Sequence, residues 1–336
     1  MDKAIFEDIK EKLGNQAIIK YQEIQAGSNN KLYCIETNKN SLLAKVYHQD
    51  DRQRLQREFQ AICFFNKLRL AHTPRAFFKN DTLQYAIYSY EEGFTKNARE
   101  LTPQDIENMA IFIATIHNIQ PEQVKENFQS AIMACFSLED YINNIKFRLG
   151  KFTDYISEKN AYPQIVHFSK KTNIPVLIET LVSDSIENIP QKEIAINLAT
   201  EFRRLSPVDF GPHNMIFKEN GDITFVDFEY FGWDDPARLI GDFMNHDQTS
   251  GVSDANKKLF INIYRNHVTL PQESLSRIEI VTKLITVEWL AIILFSLTPE
   301  KIRARQFADK DFNLDSYIEG QIKKFNGRLH HLMVYK

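Results

Sequence analysis

The feature that most constrains the fold of this chain is an Asn220-Gly221 pair set between two short apolar runs. An Asn-Gly pair between β-forming residues is the strongest short-range signal for a β-hairpin, because both turn positions favour positive φ. With these two residues as the turn, Asn214 falls opposite Asp227, and directly opposed side chains lie on one face. The pattern therefore predicts a hairpin whose open end brings an amide and a carboxylate together.

This open end predicts a metal site. Asn214 and Asp227 offer hard oxygen ligands and no thiolate, a set that suits Mg²⁺, which borrows further ligands from water and substrate phosphates. A loop containing Gly211-Pro212 delivers Asp209 beside them. The alternative is an ordinary hairpin with polar ends, but the register and the paired carboxylate together favour the metal-phosphate interpretation.

Composition sets the class of protein. The chain has 336 residues, more than one core usually serves, so two lobes or domains are expected. Its net charge of −3 argues against a nucleic-acid partner, and its three cysteines have no motif spacing, which favours a reducing compartment. The start lacks a continuous apolar core, and the most apolar segment (284–297) is too short to span a bilayer. We expect a cytoplasmic protein without membrane insertion.

The sequence pattern of the N-terminal third predicts a helix followed by strands. Residues 1–20 have helical apolar spacing, and residues 32–36, 42–47 and 83–90 resemble short strands. Before the first of these strands, residues 25–30 form a polar turn with one glycine, which could lie over a phosphate or be any β-turn.

A lysine and a glutamate in this region both point toward the core. Lys45 lies within an apolar strand, where an ammonium must find a partner. A helix capped at Asp50-Asp51 and running to about residue 68 places Glu58 on its apolar face. An exposed edge-strand lysine is the alternative, but two inward-pointing opposite charges predict an ion pair. The arginines at 52, 54 and 57 of this helix are typical of a solvated face.

After Gly93 the pattern becomes mostly helical, beginning with a well-capped helix from Thr102 to about His117. The sequence therefore predicts an α+β protein with a small N-lobe at residues 1–93 and a larger, mostly helical C-lobe at residues 94–336.

The order of these parts is that of a kinase. A polar glycine turn, a strand lysine, a helix glutamate and then Asp, Asn and Asp follow the protein-kinase plan of phosphoryl transfer. Residues 205–217, 225–230 and 234–242 resemble the aminoglycoside phosphotransferase and choline kinase superfamily, the small-molecule branch of that fold. The resemblance implies a protein-kinase-like two-lobe fold with an antiparallel-sheet N-lobe. It also implies a phosphotransferase that uses ATP and Mg²⁺ and acts on a hydroxyl of a small molecule.

The resemblance assigns roles position by position. Asp209 is the catalytic base, and Asn214 and Asp227 hold Mg²⁺. The nucleotide-binding set is Gly27, Ser28 and Asn30 over the phosphates, Lys45 on the α/β-phosphates, Glu58 fixing Lys45, and Ser89 and Glu91 at the adenine. Glu229 could reach a second metal or the substrate.

Two points stay open. The superfamily usually has His two residues before the catalytic Asp, where this chain has Pro207, so a nucleotide-binding pseudokinase is the alternative function. The acceptor could be an amino alcohol, a sugar or an aminoglycoside. Four aromatic residues could form a wall for choline, although packing is the commoner role of aromatics; they are Tyr230, Phe231, Trp233 and Trp289.

Overall fold

We describe the protein from a computed structural model, which describes residues 1–14, 16–24, 30–308 and 311–334. Most of the chain is helical. The helices are α1 (Lys3–Leu13), α2 (Arg54–Lys67), α3 (Pro103–His117), α4 (Leu138–Ser157), α5 (Pro163–Thr172), α6 (Ile174–Ser185), α7 (Gln191–Ile194), α8 (Pro236–Asn245), α9 (Asp254–His267), α10 (Gln272–Ser296), α11 (Pro299–Ala308) and α12 (Leu314–Val334).

The strands form one antiparallel sheet and two short ladders. The strands are β1 (Ile18–Ile24), β2 (Lys31–Thr37), β3 (Ser41–Val46), β4 (Ala76–Asn80), β5 (Tyr85–Ser89), β6 (Arg204–Ser206), β7 (Met215–Phe217), β8 (Ile223–Phe225) and β9 (Gly232–Asp234). The first five make a sheet in the order β1-β2-β3-β5-β4, while β6 pairs with β9 and β7 with β8. An antiparallel sheet followed by a mostly helical remainder is the α+β class predicted from the sequence.

The leading helix is shorter than predicted. It ends at Leu13, because Gly14 takes a left-handed conformation (φ 57°) and closes the helix. Strand β1 then begins at Ile18, inside the segment predicted to be helical, and β4 was also missed. Helix α1 packs on the sheet through Ile5 and Ile9, which join a core of β2, β3 and β5 side chains.

The predicted helix around Glu58 exists but begins later. Asp50 does not cap α2; its carboxylate accepts from the backbone N–H of Arg52 (3.0 Å) and from Nε of Arg54 (3.1 Å). The residue before the helix is Gln53, in a left-handed conformation and without a side-chain cap. In contrast, α3 starts as predicted, with a capping box between Thr102 and Asp105.

By contacts the described chain divides into two compact units. The first comprises residues 1–134, 203–239 and 247–270, and the second comprises residues 135–202, 240–246 and 271–336. The sheet, α2, α3 and the β7–β8 hairpin belong to the first unit. The second unit is built mainly from α4, α5, α6, α10 and α12. The boundary at residue 93 between the two lobes stays a prediction.

The segment predicted to be a core helix lies in α10, where Leu284, Ile285, Leu290 and Leu294 are buried. Within the described ranges, none of the helices has the length and apolar character needed to cross a membrane.

Candidate active site

Lys45 is the centre of a buried cluster of charges in the first unit. Its ammonium lies 2.7 Å from Oε2 of Glu58 and 2.8 Å from Oδ1 of Asp227, with Oε2 of Glu229 at 3.9 Å. Only 5% of Lys45 and 3% of Glu58 is exposed. The predicted ion pair between β3 and α2 is therefore confirmed, and it extends to the residues that follow β8.

Burial and the neighbouring opposite charges shift the pKa values of Lys45 and Glu58 in opposite directions. Burial alone lowers the pKa of Lys45, but the three carboxylates around it, Asp227 first, raise that pKa above its ordinary value. Burial raises the pKa of Glu58 to about 7, against the lowering by Lys45 and by the hydrogen bond from Tyr47. The ammonium is therefore charged at neutral pH and draws the surrounding carboxylates toward it.

Two tyrosines support Glu58 from inside the sheet. The hydroxyl of Tyr47 donates to Oε2 of Glu58 at 2.7 Å and lies 2.8 Å from the hydroxyl of Tyr88. Because Tyr47 gives its single proton to Glu58, the bond between the two hydroxyls must be donated by Tyr88. Glu58 is thus held by two donors, Lys45 and Tyr47, which fix the orientation of its carboxylate.

Glu229 is bound on the opposite side of Lys45. Its Oε1 lies 2.5 Å from the guanidinium of Arg54, and its Oε2 accepts from Nδ2 of Asn30 at 2.6 Å. Both Arg54 and Glu229 are buried, at 5% exposure each. Glu229 therefore joins α2 to the residue that precedes β2. The described contacts tie its carboxylate to this chain's own side chains.

Asp227 has an uncommon backbone conformation. Its φ is +66°, in the left-handed region that residues other than glycine, asparagine and aspartate seldom adopt. The turn it makes ends β8 and directs its carboxylate to Lys45. Such outliers persist where the surrounding structure enforces them, which is frequent at functional sites.

The predicted hairpin exists, but its register differs by one residue. Met215 pairs with Phe225, and the N–H of Val226 donates to the carbonyl of Asn214 at 3.0 Å, so Val226 and not Asp227 lies opposite Asn214. The reason is the turn: only Gly221 has positive φ (87°), which makes a longer loop closed by a left-handed glycine.

The donor set fits a divalent cation. Carboxylate oxygens of Glu58, Asp227 and Glu229 lie within 4.8 Å of one another. The carboxylates of Glu58 and Glu229 are already bound by this chain's own side chains, whereas that of Asp227 is about a third exposed (35%) and offers the hard oxygens that Mg²⁺ prefers.

Asn214 belongs to the catalytic loop as well as to the hairpin. Its Nδ2 donates to the carbonyl of Asp209 at 2.9 Å, and the residue is buried. Because this bond uses the amide nitrogen, the amide oxygen is the atom that Asn214 can offer to a cation. Asn214 thereby links the predicted metal site to the predicted base.

The loop that carries Asp209 is shaped by its backbone. The N–H of Asp209 donates to the carbonyl of Pro207 (3.0 Å), and that of Phe210 to the carbonyl of Val208 (2.9 Å). Val208 is the central residue of the first turn and has positive φ (67°), and for a β-branched residue this region is a true outlier. Beyond the loop, Nε2 of His213 lies 3.0 Å from Oδ1 of Asp209.

The residues predicted to contact the nucleotide are placed as follows. Gly27 and Ser28 lie outside the described residues, and Asn30 contacts Glu229 as above. The backbone N–H of Ser89 donates to the carbonyl of Arg75 within the sheet, at 2.8 Å. The carboxylate of Glu91 accepts from Oγ of Ser89 (2.7 Å) and from Nζ of Lys218 (3.1 Å), so it joins the end of β5 to the hairpin.

The arginines of α2 do not form a solvated face, contrary to the prediction. Arg54 is buried against Glu229. Arg57 donates to the carbonyls of Ser130 (2.7 Å) and Phe231 (3.1 Å). Arg52 is exposed but reaches the hydroxyl of Tyr230 at 3.2 Å. Hydrogen bonds and an ion pair therefore bind the first turns of α2 to the segment that follows Asp227.

Sequence reasoning missed four residues of this site. Tyr47 and Arg54 carried a usable signal, since Tyr47 lies two residues beyond Lys45 and Arg54 one helical turn before Glu58. Tyr88 and His213 carried none, because their contacts depend on which segments meet in the folded chain.

The candidate aromatic wall is occupied by the protein itself. Phe231 is buried with its ring centroid 5.3 Å from that of Phe65. The guanidinium of Arg54 lies 5.4 Å from the ring of Tyr230. In the second unit, Arg328 lies 5.1 Å from the ring of Trp289. These contacts favour packing over a choline cage, because arginines already lie on two of the four rings, those of Tyr230 and Trp289.

Comparison with known proteins gives a likeness of fold. No protein-family model and no curated protein sequence matches the chain. Among solved structures, spectinomycin phosphotransferase APH(9)-Ia with ADP and spectinomycin superposes with a TM-score of 0.61 at 14% identity, covering 95% of this chain and 98% of that one.

Two further structures extend the comparison. The choline kinase LicA from Streptococcus pneumoniae superposes with a TM-score of 0.59 at 16% identity, covering 98% of this chain and 99% of that one. The streptomycin–ATP–APH(2")-IIa ternary complex gives 0.58 at 17% identity, covering 88% and 90% of the two chains. The resemblance drawn from the motifs is therefore confirmed at the level of the fold: this chain has the protein-kinase-like fold of the aminoglycoside phosphotransferases and the choline and ethanolamine kinases.

Proposed function

We propose that the protein is an ATP- and Mg²⁺-dependent phosphotransferase that moves the γ-phosphate to a hydroxyl of a small molecule. The observation that carries the proposal is the convergence of Lys45, Glu58 and Asp227, from three separate segments, into one buried ion-pair cluster. Solved structures of the same fold contain ATP, ADP or AMP, which supports a nucleotide as the phosphoryl donor.

Each residue has a role in this proposal. Asp227 and Asn214 would hold Mg²⁺, which when bound neutralises charge on the transferring phosphates. Lys45 grips the α/β-phosphates, and Glu58 keeps Lys45 in place through the 2.7 Å ion pair. Phosphoryl transfer needs little covalent help from the protein, so positioning and charge supply most of the rate enhancement.

Asp209 acts on the acceptor. Its carboxylate accepts the hydrogen bond of the attacking hydroxyl, orients the oxygen toward the γ-phosphorus and takes up the proton as the new bond forms. About a third of this side chain is exposed (32%), so an acceptor can reach it. In the proposal residues 1–93 cover the nucleotide and residues 94–336 supply the catalytic loop and the acceptor site. The cytoplasmic location stays a prediction.

The test is ADP release with Mg²⁺ and ATP against a panel of choline, ethanolamine, sugars and aminoglycosides. The wild type should show acceptor-dependent turnover, and Asp209→Asn should lose about 10²- to 10⁴-fold of it, the range for a positioned general base. Mg²⁺–ATP binding should be retained. Asp222→Asn, an exposed carboxylate at the hairpin tip, is the matched control and should leave turnover unchanged.

Two other outcomes of this experiment would each change the conclusion. Nucleotide binding without turnover on any acceptor would favour the pseudokinase alternative. Failure to bind Mg²⁺–ATP would contradict the roles given to Lys45, Asn214 and Asp227.

A further inference from the structure

The contact between His213 and Asp209 is not explained by the roles assigned so far. Nε2 of His213 lies 3.0 Å from Oδ1 of Asp209, one helical turn away along the chain. Both side chains are partly exposed, at 27% for His213 and 32% for Asp209. An ionised carboxylate has only acceptor atoms, so the imidazole must donate through Nε2–H. One oxygen of Asp209 is thereby engaged by the protein.

The backbone on the other side of Asp209 does little to orient its side chain. The position two residues before it is Pro207, which has neither an N–H nor a polar side chain. The next residue, Val208, is held in the left-handed region, so the loop that carries Asp209 is strained. His213 supplies a contact to this carboxylate from the C-terminal side of the loop.

Gly211 leaves the room that the imidazole occupies. A Cβ built on Gly211 would lie 2.9 Å from Nδ1 and 3.0 Å from Cε1 of His213. The backbone of Gly211 is extended (φ −168°), a conformation that any residue adopts. The glycine is therefore required for space beside His213 and not for backbone conformation. The loop is thus built so that the ring can reach Asp209.

We propose that His213 is the positioning residue for Asp209. By donating to Oδ1 it holds the carboxylate in the orientation in which Asp209 accepts the hydrogen bond of the acceptor hydroxyl. In this way His213 replaces, from the C-terminal side of the loop, the ordering that a His at position 207 would supply from the N-terminal side. The inference rests on the proposed phosphotransferase function, because it concerns the orientation of the base in that reaction.

The first experiment removes and then restores the donor. His213→Ala should lower kcat about 10- to 100-fold, the effect expected when a reacting group is misplaced by about 1 Å. The KM for Mg²⁺–ATP should stay within about twofold, since the role assigned to His213 concerns Asp209 and not the phosphates. His213→Gln places an amide donor near the position of Nε2 and should recover most of kcat. His167→Ala, an exposed histidine of α5, is the matched control.

The second experiment moves the ring without removing it. Gly211→Ala should lower kcat in the wild-type background, because the new Cβ displaces the imidazole from Asp209. In the His213→Ala background the same change should have almost no further effect, since there is no ring to displace. Gly150→Ala, whose Cβ would meet nothing within 4 Å, is the matched glycine control. Independent roles for the two residues would give additive losses.

The outcomes separate this inference from the proposed function. An unchanged kcat in His213→Ala, or additive effects of the two substitutions, would overturn the positioning role while wild-type turnover upholds the phosphotransferase. Absence of wild-type turnover on every acceptor, measured in the same assay, would overturn the proposed function and this inference with it. A reduced kcat that His213→Gln recovers, together with non-additivity, would establish the positioning role.

Discussion

Lys45 and Asp209 lie in the same compact unit, yet the protein holds them in opposite ways. Lys45 is buried, and charges and hydroxyls from other segments surround it. Asp209 is about a third exposed, lies on tight backbone turns and is contacted by His213. The proposed nucleotide side of the site is therefore part of the folded core, whereas the proposed base is carried on a strained loop. Changes on the two sides should consequently affect stability very differently.

The largest effect is expected when the buried cluster loses its cation. Lys45→Met leaves Glu58 buried at 3% exposure beside Asp227 and Glu229, where it must stay unpaired or take up a proton, and breaking a buried ion pair in this way costs about 3–5 kcal/mol. Urea unfolding at pH 8 should show this loss in the free energy of unfolding, and turnover should disappear. Adding Glu58→Gln should recover about 1 kcal/mol or more, because it removes the unpaired charge.

The control for this prediction is the exposed Lys39, whose change to Met should stay within about 0.5 kcal/mol of the wild type. Equal stability of Lys45→Met and the wild type would contradict the view that the nucleotide side belongs to the core.

The partners of buried charges of this kind could be predicted in part from the sequence. Lys45 and Glu58 each interrupt an apolar face, and a charge on such a face needs a partner, which is why their pairing could be predicted. The distant partners of Arg54 and Arg57 could not be predicted in the same way. They include Glu229 and two carbonyl groups, and no local pattern records which segments meet.

The catalytic loop shows the other limit of prediction. Its residue types suggested a base and a metal ligand, but the positive φ of Val208 and Asp227 leaves no mark on a sequence pattern. The hairpin register was wrong by one residue for the same reason, since it depends on whether Asn220 or only Gly221 turns left-handed. Side-chain burial is encoded in periodicity, whereas these single backbone conformations are imposed by the surrounding fold.

The comparison between buried and exposed groups extends to His117, a buried titratable group without a counter-charge. His117 is fully buried; its Nδ1 lies 2.7 Å from the hydroxyl of Tyr264, and its Nε2 has no hydrogen-bond partner in the part of the chain that is described. Burial, with a smaller contribution from the charge of Arg204, lowers the pKa of His117 to about 3. The unfolded chain therefore binds a proton below pH 6.5 that the folded chain refuses until about pH 3.

This residue's contribution to stability is complete above pH 6.5 and is lost as the pH falls toward 3. Between pH 6.5 and pH 4 the loss should reach about 3 kcal/mol, at roughly 1.4 kcal/mol per pH unit. His117→Asn keeps a polar group near Tyr264 and does not titrate, so its free energy of unfolding should fall less over this window. Parallel pH profiles of the two proteins in urea unfolding would contradict the prediction.

The strain in the loop that carries Asp209 predicts a smaller effect on the free energy of unfolding. Here a substitution that relieves the strain should stabilise the protein. A β-branched residue at positive φ costs about 1–2 kcal/mol, whereas asparagine tolerates the left-handed region. Val208→Asn should therefore be more stable than Val208→Thr by about 1 kcal/mol, since threonine keeps the branched Cβ and asparagine does not. Thermal or urea unfolding of the two variants measures the difference. Equal stability would mean that the loop relaxes around residue 208 and stores no strain there.

The smallest effect on stability is expected at the base itself. Asp209 is about a third exposed, and Asn at this position can still accept a hydrogen bond from His213 through its amide oxygen. The free energy of unfolding of Asp209→Asn should therefore lie within about 0.5 kcal/mol of the wild type, although the substitution removes the carboxylate that the reaction needs. Urea unfolding and ADP release should be measured on the same preparation.

A destabilisation above about 2 kcal/mol would show that Asp209, like Lys45, is bound into the core, and the distinction between a buried nucleotide side and a separately held base would fail. A neutral result beside a lost reaction would locate the function of this loop in its chemistry and not in the stability of the fold.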